Sequence, residues 1–275
     1  MSESGSEVNM GAIRIGPEPN IAVDYMGQGP LVVFLHGIGG NRTNWHDQLP
    51  IFAKHFTAAT WDARGWGDSD DYDGPLRFGD VCDDLCRVLD HFGSTSAHLV
   101  GLSMGGMIVQ EFAARNPNRV GAMVLVDTNN GSMSEAEIES FVKMRREPLL
   151  AGKEPKDIAD GIARKLVSPS ASEEMVKRLA DSIAALHKES YIKAIETVAH
   201  FEGPDLSTLR TPSLVIVGSD DTLTPPSVHR EMVEQLVQAR YLEIPDAGHL
   251  SNMEKPAEFN QAVLNFLFGQ RDRAF

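Results

Sequence analysis

The 275-residue sequence contains only two cysteines, few basic residues and no long apolar run. Cys82 and Cys86 lie four residues apart on an apolar helical face, where thiols rarely bridge and usually pack as small apolar groups. The 25 Lys and Arg residues are outnumbered by 39 Asp and Glu residues, which gives a formal net charge of -14. Such a surface repels phosphate backbones and anionic lipid, so we expect no nucleic-acid or membrane partner.

Residues 1–10 lack the basic start and the apolar run of a secretion signal, and no segment approaches the ~20 apolar residues that span a bilayer. These absences favour a cytoplasmic protein. The same ten residues are polar and without periodicity, which predicts a flexible tail.

Strand-like and helix-like segments alternate over residues 11–129 and again over residues 210–275. The continuous apolar run from Leu31 is typical of a strand covered on both faces, and the segment Thr43–Phe56 has the pattern of a helix. This alternation predicts an α/β fold built on a mostly parallel, doubly covered β-sheet. Residues 130–209 have no strand pattern and several candidate helices, which predicts a helical cap inserted into that fold.

The motif with the clearest chemistry is G-x-S-x-G at residues 101–105. It lies directly between a predicted strand, Ala97–Leu102, and a predicted helix, Met104–Arg115. A serine in so tight a turn has strained backbone geometry that only small neighbours permit, and its hydroxyl projects above the sheet. The dipole of the following helix favours negative charge that develops there. Ser103 is therefore the candidate nucleophile, and this setting weakens the alternative of a glycine-rich helix start without chemistry.

A serine hydroxyl needs a positioned base that takes its proton. Ligand sites of parallel sheets lie beyond the carboxyl ends of the strands, and among nine histidines His249 falls there, after the predicted strand Tyr241–Ile244. His36 also ends a strand, but we assign it a structural role in the turn that follows it. We therefore predict that His249 is the general base.

The imidazole in turn needs a carboxylate that fixes its tautomer. Asp220 and Asp221 both follow the predicted strand Ser213–Val217. Asp221 is preferred because it stands three residues after Gly218, while Asp220 is expected to cap the turn. Asp127, at the end of an earlier strand, is a third candidate, although an ordinary loop aspartate is the commoner interpretation.

An oxyanion hole requires two backbone donors directed at the tetrahedral oxygen. The N–H of Met104, directly after Ser103, supplies one. The second is expected from Ile38, because the glycines of the turn His36–Gly40 let the backbone approach a substrate. This set of groups implies neither a metal nor an organic cofactor.

These motifs occur in the order and spacing of the α/β-hydrolases: HGIGG, WDARGWGDSD, GLSMGG, GSDDTLTPP and DAGH. The sequence therefore resembles that superfamily over Ile21–Phe268, and most resembles its 3-oxoadipate enol-lactonases and related carboxylesterases. The resemblance implies hydrolysis of an ester or lactone through an acyl-enzyme on Ser103, with His249 and Asp221. Haloalkane dehalogenases and epoxide hydrolases of this fold have an aspartate in place of the serine, so their reactions are disfavoured.

Carbon–carbon bond hydrolysis of a vinylogous diketone would use the same triad and stays an alternative. Enzymes of that kind usually have an aromatic residue soon after the histidine, where this sequence has Leu250, Ser251, Asn252 and Met253. A non-hydrolytic ligand-binding protein or a cofactor-free oxygenase on the same scaffold is a further alternative. Amide hydrolysis and the oligomeric state are left open.

A pocket for a small-molecule substrate is expected between the sheet and the cap. Arg145 and Arg146 are candidates for binding a carboxylate, although the pattern favours a solvated helix face for both. Eight apolar residues are candidate lining groups or else core. They are Trp45, Met107, Met133, Phe141, Met144, Phe201, Leu223 and Leu250.

Overall fold

A computed structural model describes residues 10–131 and 133–273, so the predicted tail, apart from Met10, lies outside the described residues. The strands are β1 Gly11–Ile15, β2 Ile21–Met26, β3 Leu31–Leu35, β4 Thr57–Trp61, β5 Ala97–Leu102, β6 Val120–Val126, β7 Ser213–Gly218 and β8 Ala239–Ile244. They form one eight-stranded sheet in the order β1-β2-β4-β3-β5-β6-β7-β8. The pairs β1–β2 and β2–β4 are antiparallel and the other neighbouring pairs are parallel, which confirms the predicted mostly parallel sheet.

The helices are α1 Leu49–Phe52, α2 Phe78–His91, α3 Met104–Arg115, α4 Glu135–Leu150, α5 Ala159–Leu166, α6 Glu173–Ala184, α7 Lys188–Ala199, α8 Pro226–Gln235, α9 Ser251–Glu254 and α10 Pro256–Phe268. Helices α4 to α7 follow one another between β6 and β7, in what we call the inserted segment, residues 130–209. Within it α4 packs on α7, and α5 packs on α6. No helix of the described residues is long and apolar enough to cross a membrane.

The centre of the sheet is inaccessible to water. Every residue of β3, β5, β6 and β7 is buried, and α3 packs across three of these strands. Strands covered on both faces must be apolar throughout, which explains why their sequences form continuous apolar runs. The predicted doubly covered sheet is therefore confirmed, and the carboxyl ends of its parallel strands form one edge.

The predicted helix Thr43–Phe56 is wrong in extent. The chain forms a 3-10 turn at Arg42–Trp45 and then the four-residue helix α1. Pro50, in the first turn of α1, has no backbone N–H, so a continuous helix would lose a hydrogen bond there. The Asn41 side chain caps the 3-10 turn by accepting from the Thr43 N–H at 2.9 Å.

Strand β1 was not predicted from the sequence. It is a five-residue strand at the edge of the sheet, where it pairs with β2 alone, and its first four residues are all partly or fully exposed. A strand that buries so little apolar surface has a weak periodic pattern, and its antiparallel pairing with β2 is what stabilises it.

Candidate active site

Ser103 lies in the turn between β5 and α3, with φ of 52° and ψ of -116°. A side chain rarely adopts this left-handed geometry, and two glycines make the turn possible here. A Cβ atom on Gly101 would lie 2.3 Å from the Gly105 carbonyl oxygen, and one on Gly105 would lie 2.2 Å from the Leu35 carbonyl oxygen. The Ser103 N–H donates to the Val126 carbonyl at 2.9 Å, which fixes the turn against β6.

His249 and Asp221 form a buried pair, with His249 Nδ1 at 2.8 Å from Asp221 Oδ2. The other contacts of the carboxylate are donors from its own loop: the Thr224 hydroxyl at 2.7 Å and the N–H groups of Leu223 and Thr224 at 2.9 and 3.0 Å. An ionised carboxylate at Nδ1 selects the tautomer with its proton on that atom, which leaves Nε2 as a base. Asp220 is exposed and accepts instead from the Ser219 hydroxyl at 3.2 Å.

The ionisation of this pair follows from its surroundings. Burial by itself lowers the pKa of His249, but the Asp221 carboxylate, helped by Asp127, raises it above the ordinary value of 6.5. Burial likewise opposes the ionisation of Asp221, yet His249 and the donors on Thr224 keep the pKa of that carboxyl below its usual range. The arrangement therefore favours an imidazolium beside a carboxylate once His249 has taken a proton.

The turn after β3 lies directly against Ser103, because a Cβ atom on Gly37 would be 3.2 Å from the Ser103 Cβ. His36 fixes this turn: its Nδ1–H donates to the Gly37 carbonyl at 2.8 Å, and its Nε2 accepts from the Ala63 N–H at 3.0 Å. The Trp66 indole donates to the Ile38 carbonyl at 3.1 Å. These contacts hold Ile38 on the same cavity as Ser103.

Met104, the other expected oxyanion donor, is the first residue of α3. The N–H groups of a first helical turn have no acceptor within the helix, so this donor is free of intrahelical pairing. The helix dipole adds partial positive charge at the same point. Ile38 lines the same cavity as Ser103, and Met104 directly follows Ser103 in the chain.

A cavity of about 40 Å³ lies between the carboxyl edge of the sheet and the inserted segment. Its lining includes Gly37, Ile38, Gly39, Gly40, Asn44, Leu102, Ser103, Phe141, Arg145, Leu166, Leu179, Val198, Leu223, His249 and Leu250. Three larger grooves on the described part of the chain include neither Ser103 nor His249. Among residues 10–131 and 133–273, no group of three or more His, Cys, Asp or Glu side chains is arranged to hold a metal ion.

Three of the eight apolar residues expected in the lining are found there: Phe141, Leu223 and Leu250. The other five do not line this cavity, and Trp45 shows why. It is fully buried, with its ring centroid 5.1 Å from that of Phe34, so its apolar surface belongs to the core.

Asp127 is not the ordinary loop residue that the sequence favoured. It is fully buried, with its Oδ1 accepting from the Gly218 N–H at 2.9 Å and its Oδ2 from the Ser251 N–H and hydroxyl at 2.9 and 2.7 Å. Burial, together with the charge of Asp221, raises the pKa of Asp127 to about 7. The third candidate carboxylate therefore bonds to the neighbours of His249 and not to the imidazole.

The solvated helix face that the sequence favoured for Arg145 is also wrong. Arg145 is 2% exposed and lines the cavity, whereas Arg146 is partly exposed and pairs with Glu196 at 2.9 Å. Helix α4 packs on α7, which buries the face formed by Phe141, Arg145 and Leu149. Their spacing of four residues is the signal that could have placed Arg145 on the inner face.

Known proteins share this architecture. A family model described as the alpha/beta hydrolase fold matches residues 30–256. The chain is 30% identical to 3-oxoadipate enol-lactonase 2 of Acinetobacter baylyi, over 85% of this chain and 87% of that protein. It is also 30% identical to a 2-hydroxy-6-oxononadienedioate/2-hydroxy-6-oxononatrienedioate hydrolase of Burkholderia vietnamiensis, over 97% of both chains.

Among solved structures, a malate-bound thermophilic esterase from Thermogutta terrifontis superimposes with a TM-score of 0.84 at 27% identity, over 95% of this chain and 99% of that one. The sequence similarity and the structural superposition thus both extend over nearly the whole length of the chain. Since the family match alone spans residues 30–256, this chain belongs to the alpha/beta hydrolase fold family.

Proposed function

We propose that this protein is a serine hydrolase that cleaves a small-molecule carboxylic ester or lactone through an acyl-enzyme. The observation that carries the proposal is the buried pair of His249 and Asp221, at 2.8 Å, on the same cavity as Ser103 in its strained turn. Relatives named as an enol-lactonase and an esterase support the ester and lactone class. Under this proposal the inserted segment is a cap over the site.

In the proposed reaction, the Ser103 oxygen attacks the carbonyl carbon while His249 Nε2 accepts the hydroxyl proton. The tetrahedral oxygen accepts hydrogen bonds from the N–H groups of Ile38 and Met104. Collapse of this intermediate transfers the proton from His249 to the leaving oxygen and leaves an acyl group on Ser103. Water then attacks the acyl carbon with His249 again as base, which releases the acid and restores the serine. No metal or organic cofactor takes part.

Fluorophosphonate labelling tests the activated serine. We expect the purified protein to be labelled, and Ser103→Ala to lose labelling together with roughly 10⁴- to 10⁶-fold of its ester turnover. Ser140→Ala, which changes an exposed serine of α4, is the matched control and should behave as the wild type. Undiminished turnover in Ser103→Ala would disprove the proposal, and an unlabelled wild type would favour a ligand-binding protein or an oxygenase.

Carbon–carbon hydrolysis is the second candidate function, because the Burkholderia vietnamiensis relative bears the name of such an enzyme. It would use the same triad on a vinylogous diketone. Against it, His249 is followed by Leu250 and then by Ser251 at the start of α9, with no aromatic side chain at either place. A panel of p-nitrophenyl esters, lactones and diketones separates the two candidates: turnover of diketones with none of esters would reverse the ranking.

A further inference from the structure

The guanidinium of Arg145 is a buried charge without a counterion among residues 10–131 and 133–273. The residue is 2% exposed, and its Nε and Nη1 atoms have no hydrogen-bond partner among the described residues. Its polar neighbour is the hydroxyl of Tyr191, and no carboxylate of the described residues pairs with it. A guanidinium stays charged in proteins, and an uncompensated buried charge is strongly destabilising.

The position of this charge is fixed by packing. The Arg145 guanidinium carbon lies 4.2 Å from the ring centroid of Phe141, and α4 is held against α7, which carries Tyr191. The cation also reaches the catalytic groups electrostatically, since it lowers the pKa of His249. An arginine held in this way, on the same cavity as Ser103, is suited to receive an anion that enters the cavity.

We propose that Arg145 binds a carboxylate of the substrate, so that the ester or lactone cleaved at Ser103 carries a carboxylate in the same molecule. The inference rests on the proposed function, which it makes more specific. One guanidinium balances the single charge of a carboxylate, whereas a phosphate would bring about two charges into a cavity lined mainly by apolar side chains. Because Arg145, Ser103 and His249 line one cavity of about 40 Å³, the spacer between carboxylate and scissile carbonyl should be short.

Calorimetric titration tests binding without requiring turnover. Wild-type protein and Arg145→Met are titrated with succinate, glutarate and adipate, with glutaramide as the neutral control. We expect at least one diacid to bind the wild type more than tenfold more tightly than glutaramide does, and Arg145→Met to lose that affinity by about 10²-fold. Absence of diacid binding to the wild type, or equal binding to both proteins, would overturn the inference.

Paired esters test the same contact in catalysis. The monomethyl and dimethyl esters of these diacids differ in one free carboxylate, so each pair isolates the charge. Arg145→Met should lower kcat/KM for the monomethyl ester by about 10²-fold and change the dimethyl ester less than about threefold. Arg146→Met, on the neighbouring residue that pairs with Glu196, is the matched control and should change neither.

A merely structural Arg145 would give equal losses on both esters, and that result would overturn the inference. Arg145→Lys keeps the charge, so it should retain part of the preference for the monomethyl ester. It replaces Arg145→Met in the comparison if that variant does not fold. Diacid binding through Arg145 without turnover of either ester would contradict the proposed function and leave the inference standing.

Discussion

Asp221 and Asp220 are adjacent carboxylates with different surroundings, and replacing each in turn measures what the contact with His249 contributes. Asp221→Asn would place an amide against His249 Nδ1 and favour the wrong tautomer, so we expect kcat for esters to fall about 10⁴-fold. Asp220→Asn changes an exposed side chain and should stay within about twofold of wild type. Steady-state kinetics on one ester measure both effects. Comparable losses of kcat in the two variants would contradict the assignment of Asp221 as the partner of His249.

Asp127 is expected to act on His249 through charge and not through contact. The buried Asp127 carboxylate helps to raise the pKa of His249, and it bonds to Gly218 and Ser251 on either side of the imidazole loop. Under the proposed function His249 must be neutral to accept a proton, so kcat/KM should rise with pH through that raised pKa.

Replacing Asp127 with asparagine removes the charge and keeps an acceptor. The acidic limb of the kcat/KM profile should therefore move to lower pH in Asp127→Asn, so that the variant retains a larger fraction of its own plateau at acidic pH. The measurement is kcat/KM against pH for both proteins on the same ester. A limb that is unmoved, or that moves to higher pH, would mean that Asp127 has no electrostatic role at this site.

Asp127 also links stability to pH. Its carboxyl has a pKa near 3.8 when unfolded and about 7 when buried, so the folded protein holds the extra proton between those values. The contribution of Asp127 to the free energy of unfolding is fully present below pH 3.8 and is lost as the pH rises toward about 7. Denaturant unfolding of wild type and Asp127→Asn should therefore show a stability difference in favour of wild type that is larger at pH 5 than at pH 8.

At the scale of elements, two helical glycines differ in the space around them. Gly105 in α3 lies so close to β3 that an added Cβ would overlap the Leu35 carbonyl, whereas a Cβ on Gly161 in α5 would meet nothing within 4 Å. We expect Gly105→Ala to destabilise the fold by about 3 kcal/mol, and Gly161→Ala to stabilise it by up to about 1 kcal/mol. Chemical denaturation measures both, and a tolerated Gly105→Ala would contradict the close approach of α3 to β3.

At the scale of the whole molecule, Glu254 joins the inserted segment to the loop that carries His249. One of its carboxylate oxygens accepts from the Gly248 N–H and the other from the Ser168 N–H, each at 2.9 Å. The His249 N–H itself donates to the Leu166 carbonyl at the end of α5, at 2.7 Å. His249 is therefore positioned partly by a segment about 80 residues away in sequence.

Glu254→Ala removes this junction and should loosen both sides of it. We expect hydrogen exchange to increase in residues 166–168 and 246–250, and kcat/KM to fall about tenfold because His249 is held less accurately. Glu258→Ala changes an exposed glutamate of α10 and is the matched control. Faster exchange spread over the whole sheet would indicate general destabilisation instead.

Much of the fold was predictable because its signals are local. The strand Ala97–Leu102 and the helix Met104–Arg115 have the bounds that the sequence predicted. In each case the apolar pattern repeats over the whole element. The prediction for Thr43–Phe56 was wrong because the apolar spacing alone does not show the break: Pro50 lacks the backbone N–H that a continuous helix would need.

The sequence by itself determined the turn at Ser103, because a strand end, a serine, its glycines and a helix start are all encoded within a few residues. Only the tertiary structure decided which charged groups are buried around it. Asp127 reaches its partner Ser251 across 124 residues, and Arg145 faces the cavity only because α4 packs on α7. Burial of a charge depends on what covers it, and the covering side chains come from parts of the chain that no local pattern relates.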